Sequence, residues 1–447
     1  MGCSASKGVD PTRPDPDPNQ GPKTSVGAGA RDTTAVASRA ALQFEQLTPM
    51  LVMPFRVFRA QRRIMKSTKQ WRDTARENGG LVMYEDGSSK IVIFISHTWW
   101  DRDFKDETND PSDVYDHGAP DHQSGAKKDL KWRIICDGVQ RLIERDGLNE
   151  DDVHLWIDWQ SIYQDDKDEK LKGVKSLIQY ATLCEYMLVP TEEETLRGVA
   201  STYPEEIPGY GRRGWCRIEY FVFSLLAEMQ EREVRLHAIQ LDGALNPYPQ
   251  VKVVGEEFMP SGGDLSNPND KALVKSLEDQ MIEAYGNALV QAKCKAAGGE
   301  TVDLSAKMIR PVHVDALFAA VECYKVAVLE LDTNQLGATG AVKLAAALKT
   351  NATVTSLSLA NNHLCGIDSR GRGTYTAEGI TKLCEALKGS AVTSLDLRDN
   401  QLCGVSRRGH GTYTTAGITK LCEALKGSAV TSLSLNYNNI GDKGTSA

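Results

Sequence analysis

Between residues 88 and 245 the apolar positions switch repeatedly between two periods. Residues 90–95 read KIVIFI, a nearly continuous apolar run that suits a strand buried on both faces of a sheet, and the run ends in the polar residues Ser96, His97 and Thr98. A polar insertion covers about 101–125. Leu130, Ile134, Ile135, Val139, Leu142 and Ile143 then recur with helical spacing over 127–146. Residues 153–158 (VHLWID) predict a second strand, 168–182 a second helix, and 186–189 (YMLV) a third strand closed by Pro190. The segment 214–229 carries the stripe Trp215, Ile218, Val222, Leu225, Leu226 and Met229, and 233–240 reads as a further strand. Strands alternating with helices predict an α/β fold around a parallel sheet. Binding sites in such sheets gather beyond the carboxyl ends of the strands, where Ser96, His97, Asp101 and Asp158 stand.

A different order governs the chain from Val326 onward. The register V-x-x-L-x-L-x-x-N-x-L/I begins at Val326, Val354, Val392 and Val430, with Asn334, Asn362, Asn400 and Asn438 in one slot. This is a leucine-rich repeat pattern: the leucines fill a shared core, the asparagine satisfies backbone groups at the turn, and the units stack into a short α/β solenoid. Helices such as 341–348 and 379–387 follow the strands, and their spacing resembles the ribonuclease-inhibitor class. Two nearly identical units carry ten extra residues each, GIDSRGRGTY (366–375) and GVSRRGHGTY (404–413), expected as loops on one edge. Arg370, Arg372, Arg407, Arg408 and His410 make that edge basic, which is either tolerated loop variation or a face for an acidic partner. Residues 246–325 read as a helical connector, with helices near 270–297 and 312–325.

The amino terminus carries an address. Gly2 behind the initiator Met, with Ser6 at the required hydroxyl position, fits N-myristoylation, and Cys3 is placed for a palmitoyl chain as the second signal that stable anchoring needs. The rest of 1–40 is rich in Pro, Asp, Gly, Ser and Thr and reads as a flexible spacer. Residues 41–87 are expected as a basic helical segment: 51–76 hold eight Lys/Arg against Asp73 alone, helical after Pro54. Beside a lipid anchor such a stretch is drawn to an anionic membrane surface, at up to about 1 kcal/mol per cation. The alternative is a helix that packs Phe55 and Phe58 onto the next domain. The expected location is the cytoplasmic face of a membrane, peripheral and lipid-anchored.

Composition narrows the field. The chain has 447 residues, 41% hydrophobic and 25% charged, which excludes a wholly disordered or collagenous protein. Its net charge of −8 argues against a nucleic-acid partner. Ten cysteines without a C-x-x-C pair predict free thiols and no zinc site. No phosphate loop, nucleophile elbow or H-E-x-x-H motif is present. Asp113, Asp116, His117, Asp121 and His122 lack any recognised ligand spacing, so no metal is expected.

The motif IFISHTWWD (93–101) resembles the first strand and following loop of Toll/interleukin-receptor (TIR) domains, and GWCRIEYFVFSLL (214–226) resembles that family's W-C-x-x-E helix. LWIDWQSIYQDDKDEK (155–170) is similar to the central motif of heterokaryon-incompatibility domains, distant relatives of the TIR fold. The resemblance covers roughly 88–242 and departs from the family in its long first-loop insertion and in Trp99-Trp100. It implies a flavodoxin-like, TIR-like domain over 88–245, followed by the connector (246–325) and the repeats (326–447). In catalytic TIR domains the glutamate of W-C-x-x-E supports cleavage of the nicotinamide–ribose bond of NAD. That residue here is Glu219, with Ser96, His97, Trp99, Asp101, Asp158 and Trp215 as candidates for the pocket that would bind NAD as substrate, and no resident cofactor. The alternatives for Glu219 are that catalytic role or a salt bridge to Arg212, Arg213 or Arg217. Two functions follow: a membrane-anchored signalling or defence enzyme that cleaves NAD, or a scaffold that self-associates through its TIR-like domain. In both, the repeats bind a protein partner.

Overall fold

The computed structural model describes residues 42, 44–101, 118–192, 210–229, 236–247 and 259–446. Gly2, Cys3, Asp113, Asp116 and His117 lie outside the described residues. The fold is mixed α/β, with a seven-stranded and a five-stranded sheet.

The first part runs β1 (Leu51–Pro54), α1 (Phe55–Gln61), α2 (Lys69–Glu77), β2 (Val82–Met83), β3 (Ile91–Ile95), α3 (Leu130–Asp146), β4 (Val153–Trp156), α4 (Asp158–Ser161), α5 (Lys167–Lys175), α6 (Leu177–Leu183), β5 (Tyr186–Pro190), α7 (Gly214–Met229), β6 (Leu236–Ile239) and β7 (Leu245–Pro247). The strand order is β2-β1-β4-β3-β5-β6-β7. The central four strands are parallel, while β1, β2 and β7 pair antiparallel at the edges. Chain order reverses at β3, which lies between β4 and β5 and so opens a crevice at its carboxyl end. Successive β3 side chains feed opposite layers: Val92 and Phe94 enter one apolar cluster, Ile93 and Ile95 the other. Burial on both faces is why the strand reads as one apolar run.

Three elements differ from their sequence expectation. Residues 41–87 are not a separate helical segment, because the buried run Leu51–Pro54 forms β1 and pairs with β4. Two short helices follow instead of one, broken at Arg62 in a left-handed conformation (φ 61°). Phe55 and Phe58 are fully buried, as the packing alternative required, and Arg56 and Arg59 pair with Asp151 and Glu150 of the same domain. The helix expected over 168–182 is split at Ser176, whose hydroxyl bonds back to Lys172 O at 2.9 Å. Such back-bonding bends or ends a helix.

The second part runs α8 (Asp270–Ala297), β8 (Thr301–Asp303), α9 (Val314–Tyr324), β9 (Val328–Glu330), α10 (Gly337–Leu348), β10 (Ser356–Ser358), α11 (Glu378–Leu387), β11 (Ser394–Asp396), α12 (Ala416–Leu425), β12 (Ser432–Ser434) and α13 (Gly441–Thr445). Its parallel sheet is ordered β12-β11-β10-β9-β8, with Leu329, Leu357, Leu395 and Leu433 in register. The strand β8 is an addition to the expected connector: Val302 and Leu304 occupy leucine positions one unit earlier, and Val302 pairs with Leu329. The asparagines form a ladder. Asn400 accepts from the backbone N–H of Asn362 (3.1 Å) and donates to Leu359 O (2.8 Å), and Asn438 repeats this one unit later with Asn400 N–H and Leu397 O. Both ten-residue insertions fold as hairpins, closed by bridges Ile367↔Gly373 and Val405↔Gly411. One apolar cluster runs without a break from the first sheet through α7, α8 and α9 into the repeats.

Candidate functional site

The helix α7 is the crossover between β5 and β6, so its first turns stand over the carboxyl ends of the parallel strands. Gly214 opens it in close packing: a Cβ there would lie 2.8 Å from Leu265 and 3.1 Å from Pro260 O. Glu219 follows one and a half turns later on the buried side and is 9% exposed. It forms no salt bridge with Arg212, Arg213 or Arg217. Its Oε2 instead accepts the hydroxyl hydrogen of Ser96, directly beyond β3. Ser96 is itself fixed by its backbone N–H on Leu188 O of β5 (3.0 Å). The phenol of Tyr210 completes the chain of bonds on Ser96 Oγ. The sequence offered no sign of Tyr210, which lies in a loop without periodicity.

Beside this pair stands a second. His97 Nε2 meets Asp158 Oδ1 at 2.8 Å, and the thiol of Cys216 on α7 donates to His97 O at 3.7 Å. Asp158 opens α4 just past β4, so the tips of β3 and β4 and the start of α7 meet at one place. The His97 side chain is 2% exposed and that of Asp158 is 40% exposed, so the histidine is enclosed while its carboxylate partner reaches solvent.

The two carboxyls are pushed apart. Burial raises Glu219 to about 8, against the opposing Ser96 hydrogen bond, and the negative charge of Asp158 adds to the rise. Burial also acts to raise Asp158, but the charge and hydrogen bond of His97, the Trp159 amide and Lys131 together hold it below the usual carboxylate range. At neutral pH one carboxyl keeps its proton and the other is ionised, the division of labour that acid–base sites use.

Lys131 is a further member that the sequence reading missed. It is fully buried, donates to Thr98 O and Pro120 O, and holds its ammonium 4.2 Å from the centre of the Trp100 ring. Burial lowers it to about 7, with Asp121 and Asp158 pulling it back upward. A lysine on the apolar face that carries Ile134 and Ile135 was the available signal. Trp99 is half-buried, edge-on to Trp159 with ring centres 5.2 Å apart. Asp101 is turned to the loop, its carboxylate accepting Gln123 N–H at 3.1 Å. Trp215 points to the connector and donates from Nε1 to Asp270 Oδ2 at 2.9 Å. The structure thus gathers Ser96, His97, Asp158 and Glu219, sets Trp99 beside them, and engages Asp101 and Trp215 elsewhere. Asp121 and His122 share no group of three or more metal-binding side chains among the described residues, and the nine described cysteines are free thiols.

A leucine-rich repeat family model matches residues 429–447, the fourth register with its strand β12. Those residues are therefore of leucine-rich repeat type, and such repeats typically bind proteins. No curated protein matches the chain. Among the described residues no helix is long and apolar enough to cross a membrane.

Proposed function

We propose that the first sheet and its helices form a TIR-like domain that hydrolyses the nicotinamide–ribose bond of NAD, in a signalling or defence protein held at a membrane by acylation at Gly2 and Cys3. The observation that carries this is the hydrogen-bonded convergence of Ser96 and Glu219 beside the His97–Asp158 pair at the strand tips. The TIR assignment rests on the three motifs and on the parallel strand order. In hydrolysis the C1′–N bond breaks, nicotinamide leaves with the bonding electrons, and water adds to the ribosyl cation and loses a proton. Asp158, ionised and accessible, faces the developing positive charge. Glu219 holds a ribose hydroxyl or, once ionised, shares the stabilisation of the cation. The positively charged ring of bound NAD favours that ionisation. Nicotinamide release by the purified chain, with Glu219→Gln as control, tests the proposal.

A second function is favoured by one observation: Ser96 and Glu219 are only 1% and 9% exposed. In a non-catalytic scaffold that bond would lock α7 to the sheet, the domain would self-associate, and the repeats would select the partner. Oligomers that grow with concentration, without NAD turnover, would identify this case. In both functions the repeats bind protein, and the exposed Arg62, Arg63 and Arg76 face an anionic membrane surface.

A further inference from the structure

The two repeat insertions are near-copies, so each serves as the other's control. In the first hairpin Asp368 is a built-in counterion. Its carboxylate accepts the backbone N–H groups of Arg370 (2.9 Å) and Arg372 (2.8 Å) and pairs with Arg372 Nε at 2.7 Å. The second hairpin stacks on it: His410 Nδ1 lies 3.0 Å from Arg370 O, and Asn439 Nδ2 ties Val405 O to the next unit at 3.1 Å. Thirty-eight residues on, Ser406 replaces Asp368, Arg407 replaces Ser369, and His410 replaces Arg372. The acid is gone while the number of arginines stays at two, so the second hairpin has no carboxylate of its own to set against them. Arg407 reaches Asp399 at 3.2 Å and lies over the Tyr437 ring at 3.7 Å, while 47% of its side chain stays exposed. Arg408 is exposed and has no partner among the described residues. Tyr437 is 59% exposed beside them.

We propose that hairpin 404–413, with Arg407, Arg408 and Tyr437, docks an acidic segment of a partner protein. A carboxylate from that segment pairs with the Arg408 guanidinium in the same kind of ion pair that Asp368 makes with Arg372 in the first hairpin. Arginine with an aromatic neighbour is the chemistry of protein-interface anchors, and a guanidinium presents a fork that fits a carboxylate. The hairpin is held in place by its stacking, so little order is lost on docking. The proposal rests on the protein-binding nature of the repeats and not on the chemistry at Glu219.

Fluorescence anisotropy of a fluorescein-labelled deca-glutamate peptide, titrated with the full chain at physiological salt, tests it. Binding is expected to weaken about tenfold or more in Arg407→Glu/Arg408→Glu, where two charge-assisted contacts become repulsive. Arg408→Glu alone touches no internal partner and should show a smaller loss. Ser406→Asp/His410→Arg rebuilds the first hairpin's counterion and should also weaken binding, whereas Arg62→Glu/Arg63→Glu should change nothing. Equal binding by the wild type and Arg407→Glu/Arg408→Glu overturns the hairpin assignment while leaving protein binding by the repeats intact. Tighter hairpin-dependent binding of phosphatidylserine vesicles or of oligo-dT overturns the choice of partner. Failure to bind acidic, basic and uncharged peptides alike overturns both the assignment and the protein-binding premise.

Discussion

Ser96 and Glu219, 123 positions apart in the chain, share one buried hydrogen bond in which the serine hydroxyl donates to Glu219 Oε2. The bond exists because β3 lies next to β5, so the helix that follows β5 begins above the end of β3. Burial there keeps a proton on the glutamate at neutral pH. Stability depends on that proton.

Stability should fall with rising pH where Glu219 controls it. The unfolded carboxyl titrates near 4.5 and the folded one at about 8, so between these values the folded chain holds a proton that the unfolded chain has lost. Lys131 has the opposite slope, but only above about 7, where its folded form is neutral and its unfolded form is still charged. The window is therefore pH 5 to 7, where His237 and His313, both lowered to about 4 by burial, add an opposite slope that is common to the wild type and Glu219→Gln and cancels from their difference. Urea unfolding at pH 5 and pH 7 should show the wild type losing about 2–3 kcal/mol relative to Glu219→Gln. Parallel pH dependence in the two proteins would mean that Glu219 is not held protonated.

Trp215 belongs to the α7–α8 contact and not to the site. Trp215→Phe keeps an aromatic ring in a smaller side chain and removes the bond to Asp270, so it should reduce stability by about 1–2 kcal/mol. Nicotinamide release should stay within about twofold of wild type, since 0.4 kcal/mol or so of barrier corresponds to that factor. A hundredfold loss would return the indole to the pocket.

The asparagine ladder sets a larger value. Asn400→Ala leaves the amides of Asn362 and Leu364 and the carbonyls of Leu359 and Arg398 without their side-chain partner. Buried and unsatisfied, they should destabilise the repeats by about 3 kcal/mol, measurable as a lowered urea midpoint. The neighbouring Gln401→Ala should cost less, because Gln401 bonds only within its own turn at Asp399.

Membrane attachment separates two contributions. Gly2→Ala should shift protein from the membrane to the soluble fraction of lysed cells, because it removes one of the signals that stable anchoring combines. Arg62→Glu/Arg63→Glu should reduce binding to anionic vesicles without changing binding to neutral ones. Unchanged partition of Gly2→Ala would exclude the acyl anchor.

The fold was legible wherever one period dominated. The apolar run at 91–95 and the leucine register each stated their element, because their side chains are buried on both faces of a sheet and in a stacked core respectively; the stripe of α7 did so too, although that helix is buried on nearly every side from Ile218 to Ala227. Leu51–Pro54 was obscured by the arginines that follow it, and the break at Ser176 by a side-chain bond that no periodicity reveals. Within the site, Ser96, Asp158 and Glu219 were accessible from strand ends and motif. Tyr210 and the path of Lys131 to the Thr98 and Pro120 carbonyls depend on loop conformations that only the three-dimensional chain specifies.

The most direct measurement is nicotinamide release from NAD by the purified full chain across pH 6 to 9, with wild type and Glu219→Gln side by side. Hydrolysis by the wild type should rise as pH approaches about 8, where Glu219 ionises, and should fall at least about a hundredfold in Glu219→Gln. A wild-type chain that releases no nicotinamide at any of these values, or a variant that releases it at the wild-type rate, contradicts the account.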